Sequence, residues 1–163
     1  MSVSVTYESK CTVLETLEAN IDSLGSDKQV THNQFNTTQS LSSATTPPVT
    51  KVAAAVVALD AAAKTIDLTS LTGTNGVTVN GTGLKVQILK FKNKAESANE
   101  MSIEPGETNG YDLGGSDMKV TLQPGQEVTL FGNDASPDIG ASDKTLDLAG
   151  TGEQECELMI VMG

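Results

Sequence analysis

From Lys51 onward, short runs in which apolar and polar side chains alternate are cut roughly every ten residues by glycine, proline or asparagine. That spacing allows strands and leaves little room for interior helices. "VTLQPGQEVTLF" carries the pattern most cleanly: Val120 and Leu122 precede Pro124 and Gly125, Val128 and Leu130 follow them, and all four fall on one face. Proline presets the first central position of a type II turn, and glycine takes the positive φ at the second. Pro105 and Gly106 in "MSIEPGETNGYDL" repeat the motif after another short strand. Further strands are expected in "KVAAAVVAL" and "TIDLTSL", joined at "DAAAK", in the glycine-bracketed "GTNGVTVNGTG", and in "LKVQILKFKN" and "KTLDLAG". The last is "ECELMIVMG", with Cys156, Leu158, Ile160 and Met162 on one side. Such a series predicts an all-β domain, a β-sandwich of jelly-roll or related Greek-key form.

The first fifty residues read differently. "SLSSATTPPVT", residues 40–50, is rich in Ser and Thr and holds Pro47 and Pro48, whose restricted dihedrals favour an extended path. It divides an N-terminal arm, residues 1–50, from a sandwich at residues 51–163. The arm carries five acidic residues, two lysines and apolar clusters around Val5 to Tyr7, Val13 to Leu17 and Val30 to Phe35, too few to form a core. "SVTYE" and "QVTHNQF" alternate as strands do. Leu14, Leu17, Ile21 and Leu24 stand at helical spacing, so one short helix among extended segments is expected. In "LKVQILKFKN", strict alternation points Leu84, Val86 and Ile88 inward and Lys85, Gln87, Leu89 and Phe91 outward. Leu89 and Phe91 would then need a cover, supplied by the chain's own arm or by a neighbouring subunit.

Charge and motif content narrow the function. The net charge of -11 comes from 21 acidic residues against 10 basic ones, every one of them lysine. Nucleic-acid binding calls for clustered positive charge and usually arginine, so no nucleic-acid partner is expected. The longest apolar run, "VAAAVVAL", has eight residues where about twenty are needed to span a bilayer, and "MSVSVTYESK" lacks the features of a secretory signal. No membrane association is expected. Cys11 and Cys156, far apart in sequence, read as two ordinary thiols of a protein made in a reducing cytoplasm. His32 is the sole histidine and has no nucleophile motif around it. "GTNGVTVNGTGLK" lacks the Gly-Lys-Ser/Thr ending of a phosphate loop. Asp134, Asp138 and Asp143 depart from the spacing of an EF-hand. Only Tyr7, Phe35, Phe91, Tyr111 and Phe131 are aromatic, which leaves few platforms for a sugar. The chain thus reads as non-enzymatic, with no catalytic residues, cofactor or metal expected.

"TTPPVTKVAAAVVALDAAAKTIDLTSLTGTNGVTVNGTGLKVQILKFKN", "MSIEPGETNGYDLGG" and "VTLQPGQEVTLF" together resemble the small β-sandwich structural proteins of tailed bacteriophages, the head decoration or cement proteins. The resemblance spans roughly residues 45–163 and rests on the order of strands and turns. It implies a place on the capsid exterior of the virion, synthesis in the bacterial host cytoplasm, the major capsid protein as partner, and self-association as a homotrimer. Capsid or subunit contacts are expected at Val13, Leu14, Leu17, Val30 and Phe35 of the arm and at Leu89 and Phe91. Removal of residues 1–45 is expected to leave the sandwich folded. The alternative is a receptor- or glycan-binding module on a tail or fibre, for which an exposed aromatic near Tyr111 or Phe131 would be diagnostic.

Overall fold

The computed structural model describes residues 2–17, 28–132 and 134–163. In chain order its strands are β1 (Ser4–Ser9), β2 (Val13–Leu17), β3 (Lys28–His32), β4 (Thr37–Ser42), β5 (Lys51–Ala58), β6 (Ala63–Asp67) and β7 (Leu71–Thr72). β8 (Thr78–Val79), β9 (Val86–Asn93), β10 (Met101–Pro105), β11 (Val120–Leu122), β12 (Glu127–Phe131), β13 (Thr145–Ala149) and β14 (Glu155–Met162) follow. Two four-stranded antiparallel sheets, ordered β11-β10-β13-β6 and β12-β9-β14-β5, enclose the main apolar core in a sandwich-like arrangement.

β14 behaves as its sequence demands: Cys156, Leu158, Ile160 and Met162 join the main core, while Met159 and Val161 face the other way. β9 does not. The register steps from Ile88 opposite Val161 to Val86 opposite Met162, so Gln87 is an extra residue, a β-bulge that reverses the alternation. Val86, Leu89 and Phe91 therefore all lie in the main core, and Ile88 points outward. Leu89 and Phe91 are fully buried between the sheets and present no outer contact face, because one inserted residue transfers every later side chain to the opposite side.

The two Pro-Gly pairs diverge as well. Gly125 has a φ of 82° and Gln126 N–H donates to Gln123 O at 3.0 Å, as the type II turn requires. β11 and β12 on its two sides nevertheless belong to opposite sheets, so the turn is an arch over the core, and Leu122, Val128 and Leu130 meet there from both layers. Pro105 instead remains in β10, paired with Leu146, and Gly106 donates to Thr145 O with no positive φ. Glycine is required at 106 because a Cβ there would collide with the Thr145 side chain.

β5 and β6 meet in a tight turn, where Asp60 N–H donates to Ala63 O and Ala63 N–H to Asp60 O. Its central residues, Ala61 and Ala62, have φ values of 49° and 76°. Both positive values define a type I′ geometry, which side chains other than Asn, Asp and Gly adopt at a cost of about 1 kcal/mol or more each. The pair Ala61→Asn and Ala62→Gly is expected to stabilise the chain by about 1–2 kcal/mol. Urea unfolding of the double variant measures this as a raised midpoint at unchanged slope.

The arm is a nested β-ribbon. β1 pairs with β4, and β2 with β3, along the same two chain segments. Val13–Leu17 is strand and not helix; the rest of the helical spacing, Ile21 and Leu24, lies outside the described residues. The β1–β4 root lies against the outer face of the β9–β14 sheet. Leu41, Val49, Ile88 and Val161 form a second buried cluster there, flanked by Val3, Val5, Tyr7, Val52, Phe131 and Met159. Tyr7 stacks on Phe131, with ring centroids 5.0 Å apart and planes 10° apart. Part of the arm thus covers the outer sheet face, over Ile88 and Val161. Removing residues 1–45 would uncover that cluster.

Candidate functional site

Beyond the root, the ribbon leaves its support. Cys11 N–H donates to Asn36 Oδ1 at 2.9 Å across the break between the two hairpins, and β2–β3 continues outward. The register places Val13, Glu15, Val30 and His32 on one face and Leu14, Thr16, Gln29 and Thr31 on the other. His32 Nε2 and Glu15 Oε2 are 2.9 Å apart, an exposed diagonal pair of the kind that contributes little stability. Apolar side chains stand beside it in solvent: Leu14 is 59% exposed and Phe35, in the segment between β3 and β4, 90%. Val13 and Val30 are also exposed. Of the seven contact residues expected from sequence, these four gather on the ribbon. Leu89 and Phe91 lie in the core. Leu17 closes β2 opposite Lys28, and its side chain lies outside the described residues.

A second feature was not foreseen. β5 and β6 leave their shared turn for different sheets, each as the outermost strand, and an open groove of about 490 Å³ lies between them. Ala53 to Ala58 form one wall, Lys64 to Asp67 the other, and Leu158 and Ile160 the floor. The alanines explain the opening. Facing sheets sit about 10 Å apart, a spacing that larger side chains fill and methyl groups do not. The run "VAAAVVA" was the available signal, since strand interiors are ordinarily richer in bulky β-branched residues.

Several other polar groups have structural partners, whereas Asn93 Oδ1 and Ser136 Oγ are buried with none among the described residues. Tyr111 is buried; its hydroxyl donates to Pro137 O at 2.8 Å and accepts from Val86 N–H at 2.9 Å. Burial raises its phenol above the ordinary tyrosine range. One face of Phe131 is covered by Tyr7, so neither position offers the free aromatic that a glycan site there would use. Gln87, at the bulge, reaches Asp134 and the carbonyl of Gly163. Lys85 Nζ lies 3.6 Å from Asp134 Oδ1, and Ser142 Oγ donates to Asp143. Among the described residues no group of three or more His, Cys, Asp or Glu side chains comes together to hold a metal ion. Cys156 is buried, which pushes its thiol up to about 12 and keeps it protonated at neutral pH, whereas Cys11 is exposed.

These features define a β-protein in which, among the described residues, four of the exposed large apolar side chains stand on a projecting ribbon, with Val56 on an open sheet edge and Val77 just before β8. No known protein family, curated protein or solved structure matches the chain.

Proposed function

We propose that this is a non-enzymatic virion structural protein, a decoration or cement protein. In this role it binds the outer surface of a tailed-phage head through the major capsid protein and reinforces contacts between capsomers. One observation carries the proposal: the described ribbon holds four exposed large apolar side chains while its root is fixed to the sheet by a buried cluster. Such a build suits contact with a neighbouring protein, because the sandwich holds the ribbon in place and each copy contributes a modest interaction. Many copies on a shell then add their interactions through multivalency. The acidic, arginine-free composition favours the outside of a particle over a DNA-packed interior.

The strand order supports the finer jelly-roll reading. If the eight sandwich strands are lettered in chain order from β5, one sheet takes the second, seventh, fourth and fifth and the other the first, eighth, third and sixth, as in two interlocked Greek keys.

Immunogold labelling of native particles tests the placement, with even label over heads expected. Label confined to tails or fibres would favour the receptor-binding alternative, and unlabelled particles would refute both. The ribbon itself is tested by replacing residues 10–36 with a short turn, which keeps the root and its cluster. That variant is expected to fold with wild-type stability to within about 1 kcal/mol and to lose at least tenfold in particle affinity.

A further inference from the structure

We propose that the β2–β3 ribbon of one copy docks along β5 of a second copy, extending its sheet and filling the groove between β5 and β6. β5 terminates its sheet: one side pairs with β14, and the other pairs with no strand among the described residues. From Val52 to Leu59 the segment has no charge and no proline, the devices that ordinarily blunt a sheet edge. Such an edge, eight residues long, is a template for β-strand addition, with backbone hydrogen bonds providing affinity and alternate side chains entering pockets. The β5 wall of its groove is mostly alanine, above a floor of Leu158 and Ile160, and the ribbon holds bulky side chains exposed to water. Leu14, on the otherwise neutral face of the ribbon, is the side chain suited to the alanine-lined space.

Charge selects a second copy of this chain as the occupant. Lys51 pairs in register with Met162 and Lys64 with Leu148, both core residues, so both lysines belong to the groove-facing sides of β5 and β6. Both are exposed, and Lys64 lines the groove. Every other lysine beyond the arm has a carboxylate within 4.0 Å among the described residues; these two have none, although Lys51 Nζ donates to Asn80 O at 2.6 Å. The arm that would meet them is acidic overall, with five carboxylates against two lysines; Glu15 itself lies on the face opposite Leu14, outside the groove. Val56 on β5, 58% exposed, adds an apolar contact on the outer side of the same edge. Ribbon into groove is a head-to-tail contact, closed by reciprocal exchange in a dimer or by a small ring.

The test needs only the pure full-length chain, so its outcome is independent of any placement on a virion. Sedimentation equilibrium is expected to show reversible association. Leu14→Asp should weaken it at least tenfold, as should the pair Lys51→Glu and Lys64→Glu. All these positions are exposed, and circular dichroism checks that each variant is folded. In a Cys11→Ser background, a short bismaleimide should join a Leu14→Cys chain to an Ala55→Cys chain. A chain that stays monomeric at every concentration, an association indifferent to these substitutions, or absence of the Leu14-to-Ala55 crosslink would each overturn the proposal.

Discussion

Phe91→Ala is expected to destabilise the protein by about 3–5 kcal/mol, whereas Lys90→Ala beside it should change stability by less than about 1 kcal/mol. Phe91 is fully buried in the main core, opposite Leu158 on β14 and Val128 on β12. Truncation there removes an aromatic ring from between two sheets, and the rigid strands on both sides limit how far the cavity can collapse. Lys90 projects from the other face, its ammonium 3.4 Å from Glu127 at the surface. The contrast tests the bulge at Gln87 directly. Under uninterrupted alternation from Val86, Phe91 would be an outer-face residue. Its truncation would then affect binding and leave the unfolding midpoint near that of wild type. Guanidinium or thermal unfolding of the two variants decides between the arrangements.

Tyr111→Phe is expected to cost about 2–4 kcal/mol, far more than the loss of one oxygen at a surface site. The Tyr111 hydroxyl accepts from Val86 N–H at the edge of the bulge and donates to Pro137 O in the loop before β13. Val86 is fully buried, so removing the hydroxyl strands its N–H away from water, and the penalty is the desolvation of that group and not only one lost bond. A pH signature accompanies the loss. Because burial raises the folded-state phenol above its unfolded value of about 10, the unfolded chain sheds that proton first as the solution becomes alkaline. The neutral hydroxyl's contribution is therefore complete below about pH 10 and is lost as pH rises through the folded-state value. Chemical denaturation between about pH 9 and 11 should show a steeper decline in the wild type than in Tyr111→Phe. Parallel profiles would remove Tyr111 from this role.

Much of the strand content was legible from local pattern. β14 declares its buried side through Cys156, Leu158, Ile160 and Met162, and the Pro124-Gly125 turn adopts the conformation its residues prescribe. The exposed cluster on the ribbon was legible too, since Val13, Leu14, Val30 and Phe35 stand in a segment too polar to form a core. The groove was harder to find. An alanine-rich strand announces missing volume, but the place of that volume depends on which strands end the sheets.

The sequence by itself determined most of the strands from Lys51 onward, the turn at Pro124 and Gly125, and that the first fifty residues lack a core of their own; the strand at Val13–Leu17 and the strand position of Pro105 it did not. Alternation and turn chemistry are local, set by the geometry of a few neighbouring residues. Only the tertiary structure decided that β11 and β12 sit in opposite sheets and that β5 and β6 splay around a groove. It also decided that Leu89 and Phe91 face inward while Ile88 is covered by the arm. Those outcomes depend on pairing between distant segments. A single bulged residue, Gln87, reverses the facing of a strand without changing its local pattern, and its position is fixed by β14, Tyr111 and the Asp134 loop arriving from far along the chain.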